Sequence, residues 1–278
     1  MGGRRQFGAD DGDRVNLDPG STNMQHSLRP AVFKKMLIMK NILLFATISL
    51  ASLACFGQNN KVINDPNAQK RSVQGFHAIE ISNGIDLYLD QSNEEAVAVS
   101  SSDPEYRDKI KTEVENGVLR IYMETQGGHW NWGGNKKLKA YVSCKVIDDL
   151  HASGGSDVYI QDPIKSDKLN IDLSGGSDLH GKMVIGDLTV HQTGGSDAFV
   201  SGSAGKLTVH ASGGSDFHGY DLPADDCRAD ASGGSDIYMV VNKQLDANAS
   251  GGSDVHYKGN GVVRESHASG GGGVSRRS

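Results

Sequence analysis

A five-residue sequence, Ser/Thr-Gly-Gly-Ser-Asp, occurs six times in the second half of this chain at nearly constant spacing. The copies are Ser153–Asp157, Ser174–Asp178, Thr193–Asp197, Ser212–Asp216, Ser232–Asp236 and Ser250–Asp254. Their aspartates lie 21, 19, 19, 20 and 18 residues apart, and a degraded copy, Ser269–Gly273, follows them. A period of roughly twenty residues indicates one structural unit stacked on itself, so the repeats restrict the chain to a repeat architecture.

The residues around each turn alternate between apolar and polar side chains, as they do in a half-buried strand. Before the second turn the apolar positions are Leu169, Ile171 and Leu173. The residue after each repeat aspartate is also apolar: Val158, Leu179, Ala198, Phe217, Ile237 or Val255. A single strand pair cannot bury such a face, whereas stacked copies share a continuous core. The pattern therefore predicts an all-β fold, a parallel β-helix (β-solenoid) with about 19–20 residues per coil.

The repeated turn sets the chemistry of one edge of this solenoid. Its Gly-Gly pair suits a turn that needs positive φ and leaves no room for a Cβ atom. Its aspartates form a structural ladder with one carboxylate per coil: Asp157, Asp178, Asp197, Asp216, Asp236 and Asp254. Neighbouring carboxylates at ~4.8 Å repel each other, so something must offset that repulsion.

Two explanations of the aspartate ladder stay open. Each carboxylate can accept hydrogen bonds from the backbone of its own turn, which we favour and which needs no cofactor. Alternatively, a row of Ca²⁺ ions can neutralise the ladder. Calcium requires six to eight oxygen ligands, however, and this chain offers one aspartate per coil.

Two further rows of residues are out of phase with the apolar positions and are expected to face outward. The first row lies two residues after each aspartate: Tyr159, His180, Phe199, His218, Tyr238 and His256. The second lies two residues before each turn: His151, Asp172, His191, His210, Asp230, Asn248 and His267. Three interpretations stay open: cross-strand stacking that stabilises a solvated face, a strip that contacts sugar rings, and capture of a transition metal by His191 and His210.

The N-terminal third is less regular. Strands are expected on both sides of Asn83-Gly84 and over Ala96–Val99, and an alternating stretch over 138–146 leads into the repeats. Asp103 as N-cap and Pro104 at the first position predict a short helix to about Lys111. Asn116-Gly117 predicts a β-hairpin.

Both tryptophans of the chain lie in one Gly-rich segment, Thr125–Lys137. The local sequence His129-Trp130-Asn131-Trp132 falls outside any strand pattern. Two tryptophans in a polar loop indicate either a contact surface or a lid over the solenoid. We therefore group His129, Trp130 and Trp132 with the first outward row as candidate ligand-binding residues.

The first 57 residues are predicted to be an extension, 1–35, followed by a secretory signal peptide. Lysines precede the apolar run Ile42–Leu53, and Cys55-Phe56-Gly57 resembles a cleavage site. The alternative is a lipoprotein anchored through Cys55. Residues 58–72 form a polar tether and 73–274 the solenoid domain, with no transmembrane span expected in the mature chain.

Charge and cysteines limit the partners. Residues 58–278 contain 21 basic and 30 acidic side chains, which gives a net charge of −9 and argues against a nucleic-acid partner. The expected register places Cys144 and Cys227 about four coils apart, too far for the ~7 Å Cα separation that a disulfide allows. Both fall on inward positions, which predicts two buried free thiols.

The order of these motifs resembles a known family. Phe76–Ile81, Gly84–Leu89, Asn116–Ile121 and the serial S-G-G-S-D turns resemble the putative auto-transporter adhesin head GIN domain family, over roughly Val73–Val274. The resemblance implies an exported bacterial β-solenoid at the cell envelope, at the cell surface or outside the cell. It implies no established ligand or activity.

We therefore predict a secreted or cell-surface, adhesin-like binding module without catalytic residues. Its expected partner is an extracellular glycan or a surface protein, with the glycan favoured. The alternatives are a β-helix enzyme acting on extracellular polysaccharide and a purely structural envelope protein. An enzyme would require acids of unequal environment in one groove, whereas the predicted carboxylates are regular and alike.

Overall fold

The computed structural model describes residues 64–124 and 136–278, which belong to the compact unit Ile63–Ser278. Within these two ranges the regular structure consists of seventeen strands and one short helix. The elements are β1 (Gln69–Arg71), β2 (Ala78–Ile81), β3 (Asp86–Gln91), β4 (Ala96–Ser100), α1 (Pro104–Lys109), β5 (Ile110–Glu115), β6 (Val118–Met123), β7 (Lys139–Cys144), β8 (Asp149–Ala152), β9 (Val158–Ile160), β10 (Ile164–Ser174), β11 (Leu179–Thr193), β12 (Ala198–Gly213), β13 (Phe217–Gly233), β14 (Asp236–Gly251), β15 (Asp254–Lys258), β16 (Val262–Ala268) and β17 (Gly273–Arg276).

The strands form a β-solenoid of about seven turns, which confirms the predicted fold class. β10 to β14 pair with one another in parallel, and equivalent residues of successive repeats are in register, as Leu188 is with Leu207 and Val190 with Val209. β11 to β14 are 15 to 17 residues long because each strand continues around the corners of the coil. The second half of the chain is thus a regular stack of coils.

The core lies inside the coils, where the alternating pattern placed it. Leu169 and Ile171 are fully buried. All six apolar residues that follow the repeat aspartates are fully buried as well. The inward-facing positions predicted from period two are therefore confirmed.

The coils of the N-terminal third are not stacked in chain order. β2 lies between β6 and β8, and β3 lies between β7 and β9, with all of these pairs parallel. The coil built from β6 and β7 therefore stacks on the coil of β2 and β3 from the side away from the repeats. The alternating stretch 138–146 leads into the repeats along the chain, as expected, but in the stack β3 separates β7 from β9.

Antiparallel strand pairs accompany this change in the order of the coils. β4 pairs antiparallel with β7. β5 pairs antiparallel with β6 across the hairpin turn at Asn116 and Gly117, and this hairpin was predicted. The helix α1 begins at Pro104, and the Asp103 carboxylate accepts the Glu105 N–H at 2.9 Å, also as predicted. It ends at Lys109 because β5 starts at the next residue.

The N-terminal boundary of the folded unit is earlier than predicted. β1, which we assigned to the polar tether 58–72, pairs antiparallel with β4 and gives that strand a partner for its outer edge. Asp65 also joins the fold, since its Oδ2 atom accepts the Tyr141 hydroxyl at 2.8 Å. The predicted extension, signal peptide and Cys55 anchor lie outside the described residues.

Both described cysteines are buried and free, as predicted. Cys144 ends β7 and Cys227 lies in β13. More than four coils separate them because the β6–β7 coil is placed beyond the β2–β3 coil. Burial raises the pKa of each thiol to about 12.

Candidate functional site

The repeated corner has one more member than the sequence repeat reveals. Leu87 is in register with Val158, which places Ser82–Asp86 on the same corner as Ser153–Asp157. The Ile85 N–H donates to Ser156 Oγ at 3.1 Å, as repeat residues do farther along the stack. Asp86 is therefore the first aspartate of the ladder, and we missed it. The local sequence Ser-Asn-Gly-Ile-Asp carries the same spacing and was the available signal.

The last serine of each repeat is fully buried and forms a hydroxyl ladder beneath the corner. Its members are Ser156, Ser177, Ser196, Ser215, Ser235 and Ser253. The Ser196 N–H donates to Ser215 Oγ at 3.3 Å, and the Ser215 hydroxyl donates to the Ser212 carbonyl at 3.1 Å. The hydroxyls thus satisfy backbone groups that the turn leaves without strand partners.

The aspartate ladder is hydrogen-bonded between coils. Asp178 Oδ1 accepts the Asp197 N–H at 3.0 Å, and the same contact recurs from Asp157 to Asp254 at 2.9 to 3.1 Å. We expected each carboxylate to bond to its own turn, which was wrong, because the stacking places the next coil's N–H within reach of Oδ1. A hydrogen bond to the charged form offsets part of the repulsion between neighbouring carboxylates.

The aromatic and histidine side chains that follow the aspartates form one stacked column, which we call the ring column. In spatial order its members are Tyr141, Tyr88, Tyr159, His180, Phe199, His218, Tyr238 and His256. Successive ring centroids are 4.4 to 5.5 Å apart. From Tyr159 to Tyr238 the interplanar angles do not exceed 7°.

Sequence reasoning missed Tyr88 and Tyr141 in the ring column. Tyr88 lies two residues after Asp86, which is the spacing of the repeats, and it was a readable signal. Tyr141 carries no such signal, because Lys139 takes the place of the aspartate in its coil. Only the pairing of β3 with β7 brings Tyr141 to within 5.2 Å of Tyr88.

The stacking determines which parts of the rings meet solvent. Each internal ring has a neighbour on both faces, so the faces are covered and the edges point outward. Two tyrosine hydroxyls turn toward the aspartate ladder, with Tyr238 donating to Asp236 Oδ2 at 3.2 Å and Tyr159 to Asp157 Oδ2 at 3.4 Å. The ring column and the aspartate ladder therefore form one polar strip.

One predicted member of the strip is not available to a ligand. His256 is buried, with 7% of its surface exposed, although we expected it to face outward. Its Nδ1 lies 2.8 Å from the hydroxyl of Ser275 in β17, and Arg277 packs against the ring. The last coil covers this histidine, which a pattern read from the repeats alone does not reveal.

The second outward row, which we call the histidine row, also forms a column. His191 and His210 stack at 4.7 Å, and His210 Nδ1 lies 3.1 Å from Asp230 Oδ2. Together with Thr193 and Ser212 they line a groove of about 360 Å³. Parallel stacked rings do not direct their nitrogen lone pairs at a common point, so this geometry does not favour the metal site that we placed on His191 and His210.

Two groups of the histidine row have shifted pKa values. Burial lowers the pKa of His210, and His191 and Arg228 lower it further, whereas Asp230 opposes the shift. Burial acts to raise the pKa of Asp230, but hydrogen bonds from Asn248 and Arg228 outweigh it and leave that pKa lowered. Protonation of His210 is therefore less favourable in the folded protein than in a free histidine.

The remaining candidate residues, His129, Trp130 and Trp132, lie outside the described residues. Within the ranges 64–124 and 136–278, no helix is long and apolar enough to cross a membrane.

Comparisons with known proteins agree with this architecture. A family model described as "Putative auto-transporter adhesin, head GIN domain" matches residues 75–261. No curated protein sequence matches the chain significantly.

Several solved structures are similar in fold. A "putative adhesin" from Bacteroides fragilis is 20% identical, with 76% of this chain and 96% of that chain covered and a TM-score of 0.67. A "putative adhesin" from Parabacteroides merdae is 18% identical, with 76% and 95% covered and a TM-score of 0.58. A "putative lipid binding protein" from Parabacteroides distasonis is 20% identical, with 76% and 97% covered and a TM-score of 0.57. At these identities the likeness concerns the fold alone.

Proposed function

Because this chain belongs to the "Putative auto-transporter adhesin, head GIN domain" family, we propose that it is a non-enzymatic, adhesin-like binding module exposed at the cell envelope. Its partner in this proposal is an extracellular glycan. The observation that carries the proposal is the polar strip, in which the edges of the ring column lie beside the aspartate ladder along the length of the stack. Family membership supports a surface-binding role and does not identify the ligand.

The arrangement of the strip favours hydrogen bonding over ring stacking. Sugar rings cannot stack on the internal members of the ring column, because neighbouring rings already cover both faces. Imidazole nitrogens, tyrosine hydroxyls and aspartate oxygens at the edges offer donors and acceptors to sugar hydroxyls. Repetition at the ~4.8 Å spacing between coils suits an extended, repeating ligand.

The charge of the strip restricts the class of glycan. Seven aspartates, Asp86 included, line the same corner, and the chain over 58–278 carries a net charge of −9. An acidic polysaccharide would meet electrostatic repulsion along the whole strip. The proposed ligand is therefore a neutral or amino-sugar glycan.

The non-enzymatic part of the proposal rests on the regularity of the carboxylates. The ladder aspartates repeat one environment, each with Oδ1 engaged by the next coil's backbone, from Asp157 to Asp236. Glycoside hydrolysis needs two carboxyl groups in different roles. Asp86 is the member that departs from this environment, because burial and the like charge of Asp157 raise its pKa.

A glycan array compares the untagged chain with two double variants. His180→Phe/His218→Phe keeps the ring stacking but removes the polar edges from the strip. His191→Phe/His210→Phe makes the same change in the histidine row and is the matched control. We expect a neutral or amino-sugar glycan to bind the wild type and the control, and the strip variant to lose at least tenfold in affinity.

A third variant, Trp130→Ala/Trp132→Ala, distinguishes the strip from the tryptophan segment. Binding that depends on the tryptophans and not on His180 and His218 would move the site away from the strip. No glycan binding by the wild type would contradict the proposal. It would then favour the purely structural alternative, which the closed hydrogen-bond ladders and stacked rings also support.

A further inference from the structure

We infer that Asp149, His151 and Asp172 form a binding site for one divalent transition-metal ion of the zinc class. The site lies at the start of the histidine row, away from the polar strip, and it does not depend on the proposed glycan function. Among the described residues these three form the one group of His, Cys, Asp or Glu side chains that can hold a metal ion.

The topology brings the three side chains together from two strands. Asp149 and His151 are two residues apart in β8, so they lie on the same face of the strand. Asp172 in β10 is directly in register with His151. One candidate ligand atom from each residue lies within 4.8 Å of the other two.

The distances between the three side chains are close to those around a shared cation. His151 Nε2 lies 2.7 Å from Asp149 Oδ1, and His151 Nδ1 lies 3.3 Å from Asp172 Oδ2. Two ligands that bind one tetrahedral zinc ion at about 2.0–2.2 Å are roughly 3.3–3.6 Å apart, so the 3.3 Å contact matches and the 2.7 Å contact must lengthen when an ion enters. The two acids approach different nitrogens of the His151 ring, so metal binding requires the ring to turn and direct one nitrogen toward an ion that both acids share.

A second observation points independently to a missing partner. Asp149 Oδ1 is shielded from solvent and has no hydrogen-bond partner among the described residues. His151 Nε2 approaches this oxygen to 2.7 Å without the geometry of a directed hydrogen bond, and the Asp149 side chain as a whole is 34% exposed. A buried carboxylate oxygen in this state is costly, and a bound ion is one of the ordinary ways to satisfy it.

The surrounding charges favour a cation. Asp172 lies in the strand beside Asp149 and His151, and Asp148 precedes Asp149 in the chain. Asp148 itself contacts His77 Nδ1 at 2.8 Å. The site thus brings two carboxylates to the His151 imidazole, with the Asp148–His77 pair beside it.

The donor set decides the class of metal. Imidazole nitrogen suits zinc, copper, nickel and iron, whereas calcium and magnesium prefer oxygen ligands alone. One nitrogen and two carboxylate oxygens leave a position open in a tetrahedral zinc site, which water can fill. The stacked pair His191 and His210 has no comparable convergence of nitrogen and oxygen.

The test is a calorimetric titration of the untagged, metal-free chain with Zn²⁺, repeated with Co²⁺ and followed by visible absorption. The variants are His151→Asn and Asp172→Asn, with His210→Asn as the matched control from the same row. We expect one ion per wild-type chain, retained by the control and weakened at least tenfold in both site variants. The Co²⁺ spectrum is expected to disappear in the same two variants.

Two results would overturn the inference. The first is no binding of either metal by the wild type, which would show that the cluster is only a set of contacts between His151 and two carboxylates. The second is an equal loss of affinity in His210→Asn and His151→Asn, which would mean that the whole histidine row binds metal non-specifically. Circular dichroism and thermal melts of the metal-free variants show whether each one is folded.

Discussion

The backbone N–H of Asp216 donates to Oδ1 of Asp197, one coil earlier in the stack, at 3.1 Å. This contact joins the side chain of one repeat to the main chain of the next, so the repeat aspartates stabilise the stacking of coils rather than the turn itself. Asp197→Ala removes the acceptor and leaves the Asp216 N–H without one. We expect it to lower the free energy of unfolding by ~1–3 kcal/mol, measured by urea denaturation.

Asp197→Asn is the control for that substitution. Its side-chain oxygen still accepts the N–H, and the loss of charge relieves repulsion from Asp178 and Asp216, so we expect a change below ~1 kcal/mol. A cost equal to that of the alanine variant would show that the charge matters, as it would if a cation occupied the ladder.

Calcium gives a direct test of the same ladder. Because Oδ1 of each carboxylate from Asp157 to Asp236 already accepts an N–H, few free oxygens remain for an ion that needs six to eight. We expect the melting temperature to be the same in millimolar calcium and in chelator. A clear rise with calcium, absent with magnesium, would revive the calcium interpretation.

The two glycines of one repeat are expected to differ in tolerance. Gly213 has a φ of +85°, and a Cβ atom there would lie 2.6 Å from the Gly194 carbonyl oxygen. At Gly214 the same oxygen would be 3.8 Å away. Gly213→Ala should therefore cost ~2 kcal/mol or more, whereas Gly214→Ala should be close to neutral. Denaturant titration of the two variants measures the difference, and equal costs would contradict it.

The described cysteines are expected to be unreactive in the folded chain. Burial raises the pKa of Cys144 and of Cys227 to about 12, so neither forms an accessible thiolate at neutral pH. Labelling with iodoacetamide followed by peptide mass mapping should detect neither residue in native buffer and both in denaturant. Rapid native labelling of either would show local opening of its coil.

Stability is expected to fall on mild acidification because of His210. Its pKa is lowered in the folded protein by burial, His191 and Arg228, so the unfolded chain binds this proton more readily. The contribution is complete above the ordinary histidine pKa of ~6.5 and is lost as the pH falls toward the lower folded value.

His210→Gln tests this pH dependence. The melting temperature of the variant should fall less between neutral pH and pH ~5.5 than that of the wild type. His267→Gln, an exposed member of the same row, controls for the loss of an imidazole. An identical fall in all three proteins would assign the pH dependence to other groups.

The sequence by itself determined the periodic and local features of this protein. Period two fixed the inward positions, such as Leu169 and Phe217, and the spacing of the turns fixed the stacked coils. Asp103 and Asn116-Gly117 set the helix start and the hairpin through contacts within a few residues. These features depend on interactions between near neighbours or on exact repetition, and both are visible in the order of residues.

Only the tertiary structure decided which distant segments meet. The pairing of β3 with β7 stacks Tyr141 on Tyr88. The segment formed by β4, α1 and β5 lets the β6–β7 coil stack beyond the β2–β3 coil, although it comes later in the chain. The carboxylate of Asp197 accepts the N–H of the next coil because the distance between coils suits the length of its side chain. That distance cannot be read from the spacing of residues along the chain. His256 is buried for the same kind of reason, since the last strand closes over it.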